Sequence, residues 1–275
     1  MTPSTTSDRR APDQSPFISL TTDFGSFYSG ICVGVLARLA PAARVLVVTA
    51  DLPRFAVTAG AVQLRAALPY LPVGIHLGIV DPGVGTDRLP IAIRCARGDV
   101  LIGPDNGLLV PAAQVLGGVY EARALAAPDL RLPNPAPTFH GRDIFAPAAA
   151  YLADGVPLSR FGPSITPVEL DRPRVEHDTS KPGAVRAVVL FVDAFGNLVL
   201  GAEPADLAAA PGSRLLVQGH AATRTDTFAA VAPGGYAVLV DSSGWLAVAV
   251  NRGDAARELG LGPGDPVLIE VGSPA

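Results

Sequence analysis

Lysine is almost missing from this chain: Lys181 is the only one, and arginine supplies the rest of the 21 bases, set against 25 acids. A net charge of −4 gives no support for a nucleic-acid-binding surface, and no nucleic-acid partner is expected. The arginine bias, with abundant Ala, Gly and Pro, reads as genome composition rather than function. Cysteine is scarce as well. Cys32 and Cys95 both sit inside apolar runs without metal-ligand spacing, and both are expected as reduced core residues of a cytoplasmic protein. No apolar run reaches the roughly 18–20 residues that a membrane span needs. The polar opening residues 1–15, with Arg9 and Arg10 but no hydrophobic region behind them, lack a signal-peptide pattern and read as a frayed tail.

Several chemical signatures are absent too. Gly83-Val84-Gly85 has neither the third glycine nor the following helix of a dinucleotide-binding turn, and no Gly-rich loop ends in Lys-Ser or Lys-Thr. No Gly-x-Ser-x-Gly elbow occurs. No pair of His, Cys or Asp has a recognised ligand spacing, so neither a metal nor a cofactor is expected. His76 lies mid-strand and is expected to be packed, and His177 and His220 read as surface loop residues. What is present in quantity is apolar: 49% of the 275 residues are hydrophobic and 17% charged, enough to bury a substantial core in one large domain or two ordinary ones.

The order of elements narrows this to two units. Phe17 to Thr22, Arg44 to Thr49 and Val73 to Val80 read as strands, with helical patterns over Gly30 to Leu39 and Val57 to Leu68 between them. Strand and helix in alternation predict a mostly parallel sheet with covering helices. Ile91 to Cys95 and Val100 to Ile102 read as a hairpin, and Ala148 to Leu152 as an Ala-rich helix. Asp23, Asp51, Asp81 and Asp105 each stand just past the end of an apolar strand. In a parallel sheet those ends share one edge, where ligands bind, so a polar crevice is expected there. Val80-Asp81-Pro82-Gly83-Val84-Gly85-Thr86-Asp87-Arg88 delivers a carboxylate and a guanidinium to one such loop. His140 stands in a second loop at a helix start. Arg142 and Asp143 beside it could simply pair locally.

The polar, proline-bearing stretch 167–183 is the expected linker, dividing an N-terminal α/β domain (16–166) from a C-terminal domain (184–275). Beyond it, short β runs over 185–192, 213–218, 236–240, 245–250 and 266–271 predict a smaller, mostly antiparallel β-barrel, with a short helix over Ala255 to Leu259. Phe24, Phe55, Phe139, Phe195 and Phe228 fall near the loops. Aromatic rings with a few convergent polar groups suit a flat, partly apolar ligand such as a nucleoside.

Thr22-Asp23-Phe24-Gly25, the Val80–Arg88 stretch, Pro104-Asp105-Asn106-Gly107, Phe139-His140-Gly141-Arg142-Asp143 and Val192-Asp193-Ala194-Phe195-Gly196-Asn197 occur in this order. Over residues 16–272 the chain thereby resembles the S-adenosyl-L-methionine hydroxide adenosyltransferases, or SAM hydrolases, relatives of fluorinase and chlorinase. The resemblance implies an N-terminal α/β domain and a C-terminal β-barrel, assembled as a homotrimer with active sites between the N-terminal domain of one subunit and the C-terminal domain of the next. It implies hydrolysis of S-adenosyl-L-methionine to adenosine and L-methionine without metal or cofactor. Asp81, Arg88 and His140 match the triad that positions and activates water. Asp23 matches the ribose-binding carboxylate, and Phe55 and Phe139 match apolar walls, with Phe24 and Phe195 among the substrate-binding aromatics. Asn197 matches the adenine-reading amide, Phe228 the ring stacked on the base and Arg252 a backbone contact to its edge. Asp193 would face the methionine ammonium and Ser242 its carboxylate.

Ser26-Phe27-Tyr28-Ser29-Gly30 departs from the family pattern. It reads as a segment two residues shorter and without the family's acid, which puts the contacts to methionine on that side in question. The halogenating relatives replace the triad aspartate by tyrosine and change the histidine, and fluorinase has a serine where Gly141 stands; this chain keeps Asp81 and His140. Two alternatives stay open at this point: a halide-dependent 5′-halogenase, and a non-catalytic adenosine- or SAM-binding protein.

Overall fold

The computed structural model describes residues 15–167, 170–172, 175 and 177–272. The tail with Arg9 and Arg10, and Pro173, Arg174 and Glu176 of the expected linker, lie outside the described residues. The first unit runs β1 (Phe17–Thr22), α1 (Gly25–Leu39), β2 (Arg44–Thr49), α2 (Val57–Ala67), β3 (Ile75–Ile79), β4 (Pro90–Cys95), β5 (Val100–Pro104), α3 (Val110–Val115), β6 (Val119–Ala124), α4 (Ala146–Ala153) and β7 (Ser164–Ile165). They form one sheet in the order β2-β1-β3-β5-β4-β6-β7. The first four strands in that order are mutually parallel; β4, β6 and β7 continue antiparallel.

Both faces of the sheet are covered, as strand burial demands when crossovers are helical. Ile18, Leu20, Ile75, Leu77 and Ile79 face one core with Cys32 and Leu36 of α1 and Ala146, Ala148 and Ala149 of α4. Leu101, Ile91 and Ile93 face the other with Leu64 of α2 and Ala112 and Ala113 of α3. The second face of β3 carries only His76 and Gly78. Glycine lets the two layers approach at 78, because a Cβ there would stand 2.7 Å from Leu64 Cδ2 and force that side chain to move. His76 is packed, as its mid-strand position predicts: Nδ1 lies 2.7 Å from Ser19 Oγ and Nε2 3.0 Å from Asp99 Oδ1. Arg97 closes this network with two bonds to Asp99, at 2.7 and 2.9 Å.

The second unit comprises β8 (His177–Asp178), β9 (Ala184–Val192), β10 (Leu198–Leu200), β11 (Arg214–Val217), β12 (His220–Arg224), β13 (Tyr236–Val240), β14 (Leu246–Val250), α5 (Ala255–Leu259) and β15 (Pro266–Val271). The order β10-β14-β13-β12-β11-β15-β9 closes on itself through β9–β10 pairing, with β8 added beside β9. The result is a closed β-barrel filled by Val185, Leu198, Leu215, Val217, Val238, Leu246, Val248 and Ile269. Closure leaves no free strand edge among these seven. Ala59 and Val62 of α2 meet Leu190, Val199 and Trp245 of the barrel in a separate apolar cluster that joins the units. No helix among the described residues is long and apolar enough to cross a membrane.

Two differences from the sequence reading matter. The strands β6, β10 and β12 were not read from the sequence: β6 carries Glu121 and Arg123, and β10 has only three residues. Helix α1 begins at Gly25, not Gly30, so Ser26 to Gly30 is its first turn rather than a loop. Apolar periodicity could not reveal that turn, because it is held by polar contacts. Ser29 Oγ lies 2.9 Å from Thr22 Oγ1, and Gly25 N–H donates to Ala50 C=O at 2.9 Å.

Candidate active site

The parallel strands end at Thr22, Thr49, Ile79 and Pro104, so the four aspartates do follow strand ends along one edge. They do not all share one task. Asp23 and Asp81 line a cleft of about 670 Å³. Asp105 instead accepts a hydrogen bond from Asp171 N–H at 3.1 Å, tying down the chain that leaves the α/β unit, and burial raises its pKa.

Asp81 and Arg88 fold onto each other across the Pro-Gly-Val-Gly turn. Arg88 Nε donates to Asp81 Oδ1 at 2.9 Å, and Nη2 donates to Oδ2. The pair is nearly buried, with 8% and 9% of the two side chains exposed. It is therefore no surface ion pair, but a fork–fork contact shielded from water. The guanidinium lies over the Phe145 ring, 5.4 Å from its centroid. Arg88 Nη2 also reaches His140 Nδ1 at 2.9 Å, bringing in the third predicted residue from 52 positions away. Arg88 Nη1 is buried and makes no hydrogen bond within the described residues, which leaves donors for a water or ligand.

This contact decides the protonation of the imidazole. A guanidinium only donates, so Nδ1 must accept, and the neutral ring carries its proton on Nε2. Burial lowers the pKa of His140, and the Arg88 charge lowers it further, so the ring is neutral near pH 7.

Around this centre the cleft is lined by Asp23, Phe24, Phe55 and Phe139. Asp23 Oδ2 accepts from Phe55 N–H at 3.0 Å, which holds Phe55 at φ 62°, a backbone conformation that bulky residues avoid. Phe139 packs edge-on to Phe24 and Tyr28, with centroids 5.9 and 5.4 Å away. Tyr28, Arg54, Thr138 and Arg142 also line the cleft and were not among the predicted site residues. Tyr28 comes from the helical turn that replaces the expected short loop. Arg142 had a signal, since it lies in the motif that holds His140.

The remaining predicted residues, Asp193, Phe195, Asn197, Phe228, Ser242 and Arg252, line a different cleft of about 710 Å³ on the barrel. Within one chain the two sets do not share a cavity. Asp193 shapes its own loop: Oδ1 accepts from Phe195 N–H at 2.8 Å and Asn197 N–H at 2.9 Å, and Oδ2 from Asn197 Nδ2 at 2.8 Å. A carboxylate only accepts, so the Asn197 amide must turn its NH2 toward Asp193 and leave its carbonyl for a ligand. Arg252 sits at φ 59°. Among the described residues no group of three or more His, Cys, Asp or Glu side chains gathers as a metal site.

An α/β unit with a carboxylate–guanidinium–imidazole centre at its strand ends, joined to a barrel with an aromatic cleft, defines a two-domain enzyme for a small, partly apolar ligand. Residues 18–162 match the SAM hydroxide adenosyltransferase N-terminal domain and residues 187–268 the C-terminal domain, and the chain belongs to that family. It is 48% identical to an (R)-S-adenosyl-L-methionine hydrolase of Salinispora tropica, over 94% of this chain and 99% of the relative. Identity to the protein of the same name from Thermus thermophilus is 39%, over 90% and 97% of the two chains. A solved structure of an uncharacterized conserved protein from Thermotoga maritima superposes with a TM-score of 0.79 at 34% identity, covering 92% of this chain and 99% of that one. Fluorinases are more distant, at 26% identity for that of Actinoplanes sp. over 93% of this chain and 97% of the relative.

Proposed function

We propose that the protein hydrolyses S-adenosyl-L-methionine to adenosine and L-methionine, with the (R)-sulfonium epimer as substrate. The names of its relatives support the epimer. The observation that carries the reaction is the Arg88 guanidinium joining Asp81 and His140 beside the cleft. In the substrate, the sulfonium makes the ribose 5′ carbon electrophilic. A water oxygen forms a bond to that carbon as the carbon–sulfur bond breaks, and the electron pair stays on sulfur. Methionine leaves as a neutral thioether, so no general acid is needed. What must be supplied is a water held in line, with an acceptor for its proton. Asp81 is that acceptor, held in place by Arg88, and His140 orients the water through Nε2–H.

Asp23, held by Phe55 N–H, keeps lone pairs for the ribose hydroxyls, and Phe24, Phe55 and Phe139 wall the sugar. The free Asn197 carbonyl suits the adenine amino group, with Phe228 and Phe195 against the base and the Arg252 backbone at its edge. Asp193 receives the ammonium on its remaining lone pairs and Ser242 takes the carboxylate. These two groups of residues lie in separate clefts of one chain, and Phe55 and Phe195 are 72% and 78% exposed. That supports a homotrimer in which the barrel of one subunit completes the cleft of the next; sedimentation at three times the chain mass checks it. We place the enzyme in the cytoplasm, with Cys32 and Cys95 reduced. We place the unit boundaries at 16–166 and 184–275, with 167–183 as the linker that limited proteolysis should cut first.

The test is to incubate the protein with separated (R) and (S) epimers and chromatograph the products. Adenosine and methionine should appear in equal amounts from the (R) epimer, and added chloride should give no 5′-chloro product. No adenosine above a heat-killed control would overturn the reading.

A further inference from the structure

The loop that presents His140 is held by an ion pair which the hydrolysis chemistry leaves unused. Residues Gly141–Phe145 form a π-helical turn, closed by Ala146 N–H on Gly141 C=O, before α4 takes over. Such turns are rare and concentrate at functional positions. Asp143 stands in this turn, 2% exposed. Its Oδ1 accepts from Arg142 Nε at 2.6 Å, and its Oδ2 from Arg142 Nη2 and Ala136 N–H, both at 2.8 Å. Its backbone N–H donates to Phe139 C=O at 3.2 Å, and its C=O accepts from Leu132 N–H at 2.9 Å. One buried residue therefore ties together Leu132, Ala136, Phe139 and Arg142, the whole loop on which His140 rides.

Arg142 extends the hold into the cleft. Its guanidinium lies 5.1 Å over the Phe139 ring, the ring that also meets Phe24 and Tyr28. The space is closed behind: a Cβ on Gly141 would come within 3.3 Å of Phe139 and 3.6 Å of Cys32 Sγ. Burial opposes charge on Asp143, yet the Arg142 and Ala136 hydrogen bonds prevail and bring its pKa below the usual carboxylate value. A neighbouring Arg–Asp pair in water would be worth little. This one is half inside the protein and its geometry is fixed at both ends.

We propose that the Arg142–Asp143 pair is a positioning device for the reaction, which sets Phe139 against the cleft and holds His140 Nδ1 on Arg88. It acts through those two residues. The kinetic arm of its test rests on the hydrolase reading; the spectroscopic arm does not. Asp143→Asn keeps the shape and an acceptor for Ala136 N–H but loses the charged fork. Arg142→Lys keeps the charge without the fork. In 15N-histidine spectra at pH 8, with the His140 signal identified by its loss in His140→Gln, the unaltered protein should show one Nε2–H tautomer. Both variants should show a mixture of tautomers. Their kcat should fall roughly 10- to 100-fold while KM moves less than about threefold, the pattern of a misplaced rather than missing group. An unchanged tautomer with unchanged kcat, or a kcat loss that only tracks the unfolded fraction, would overturn the proposal. If Asp143→Asn does not fold, Arg142→Lys decides alone. Absence of turnover in the unaltered protein would count against the hydrolase reading and leave the tautomer comparison to decide this one.

Discussion

Arg88 Nη2 stands 2.9 Å from His140 Nδ1 while the same guanidinium grips Asp81, so a cation that cannot release its proton separates the carboxylate from the imidazole. The arrangement is not a proton relay of the serine-hydrolase kind, in which a carboxylate orients an imidazole that then serves as base. Here the imidazole nitrogen facing the other members is already an acceptor, and in the proposed reaction the proton acceptor for water is Asp81. Each of the three residues therefore has a distinct failure.

Replacing Asp81 by Asn should leave the shape and remove the base. Turnover should fall by about 10³-fold, near 4 kcal/mol of barrier, with adenosine affinity within a few-fold of the unaltered protein. Single-turnover kinetics together with calorimetric adenosine binding separate the two effects. Equal losses in both would mean that Asp81 only binds.

The acid limb of the pH–rate profile should lie below 6.5, the ordinary histidine value, because burial and Arg88 depress the His140 pKa. Protonation would put an Nδ1–H against the Arg88 N–H and break the triad. An inflection at or above 6.5 in kcat/KM would contradict this assignment.

The same depression makes stability depend on pH. His76 and His140 both have lowered pKa values in the fold, burial being the largest cause for each, so the unfolded chain binds more protons as pH falls below about 6.5. The contribution is complete above that value and is lost toward the lower folded-state values. Urea midpoints should therefore be higher at pH 7.5 than at pH 5.5. Changing His76 to Gln should shrink the difference.

Much of this was legible in the sequence, and where it failed the causes are physical. The inner parallel strands β1, β3 and β5 announce themselves as apolar runs because both faces are buried, and the aspartates after them mark where the runs end. The triad was legible only through motif resemblance, since nothing in local spacing says that His140 will meet Arg88. The first turn of α1 was hidden because Ser29 and Thr22 hold it through hydroxyls, not apolar periodicity. β6 was hidden because Glu121 and Arg123 face each other along its polar side, at 2.8 Å. The division of the predicted ligand residues between two clefts could not be read from the order of motifs, because order along the chain says nothing of which residues share a cavity.

A side chain at position 78 should cost stability, although the residue lies outside both clefts. A Cβ there would stand 2.7 Å from Leu64 Cδ2 and 3.1 Å from Leu109 Cδ2, both in the packed layer between β3 and its covering helices. Gly103 on β5 also lies close against the Gly78 carbonyl, with no room for a Cβ of its own, so the strand is confined on that side and can yield only outward. Gly78→Ala should therefore cost about 1–3 kcal/mol from overpacking, offset only slightly by the lower chain entropy of alanine in the unfolded state. Since β3 ends at Ile79, two residues before Asp81, any outward movement of the strand would displace the carboxylate too. Urea denaturation should show the lost stability, and kcat per folded molecule should fall as well. A Gly78→Ala protein with an unchanged urea midpoint would show that the α2 layer can yield, and that the position of Asp81 depends less on this packing than the distances imply.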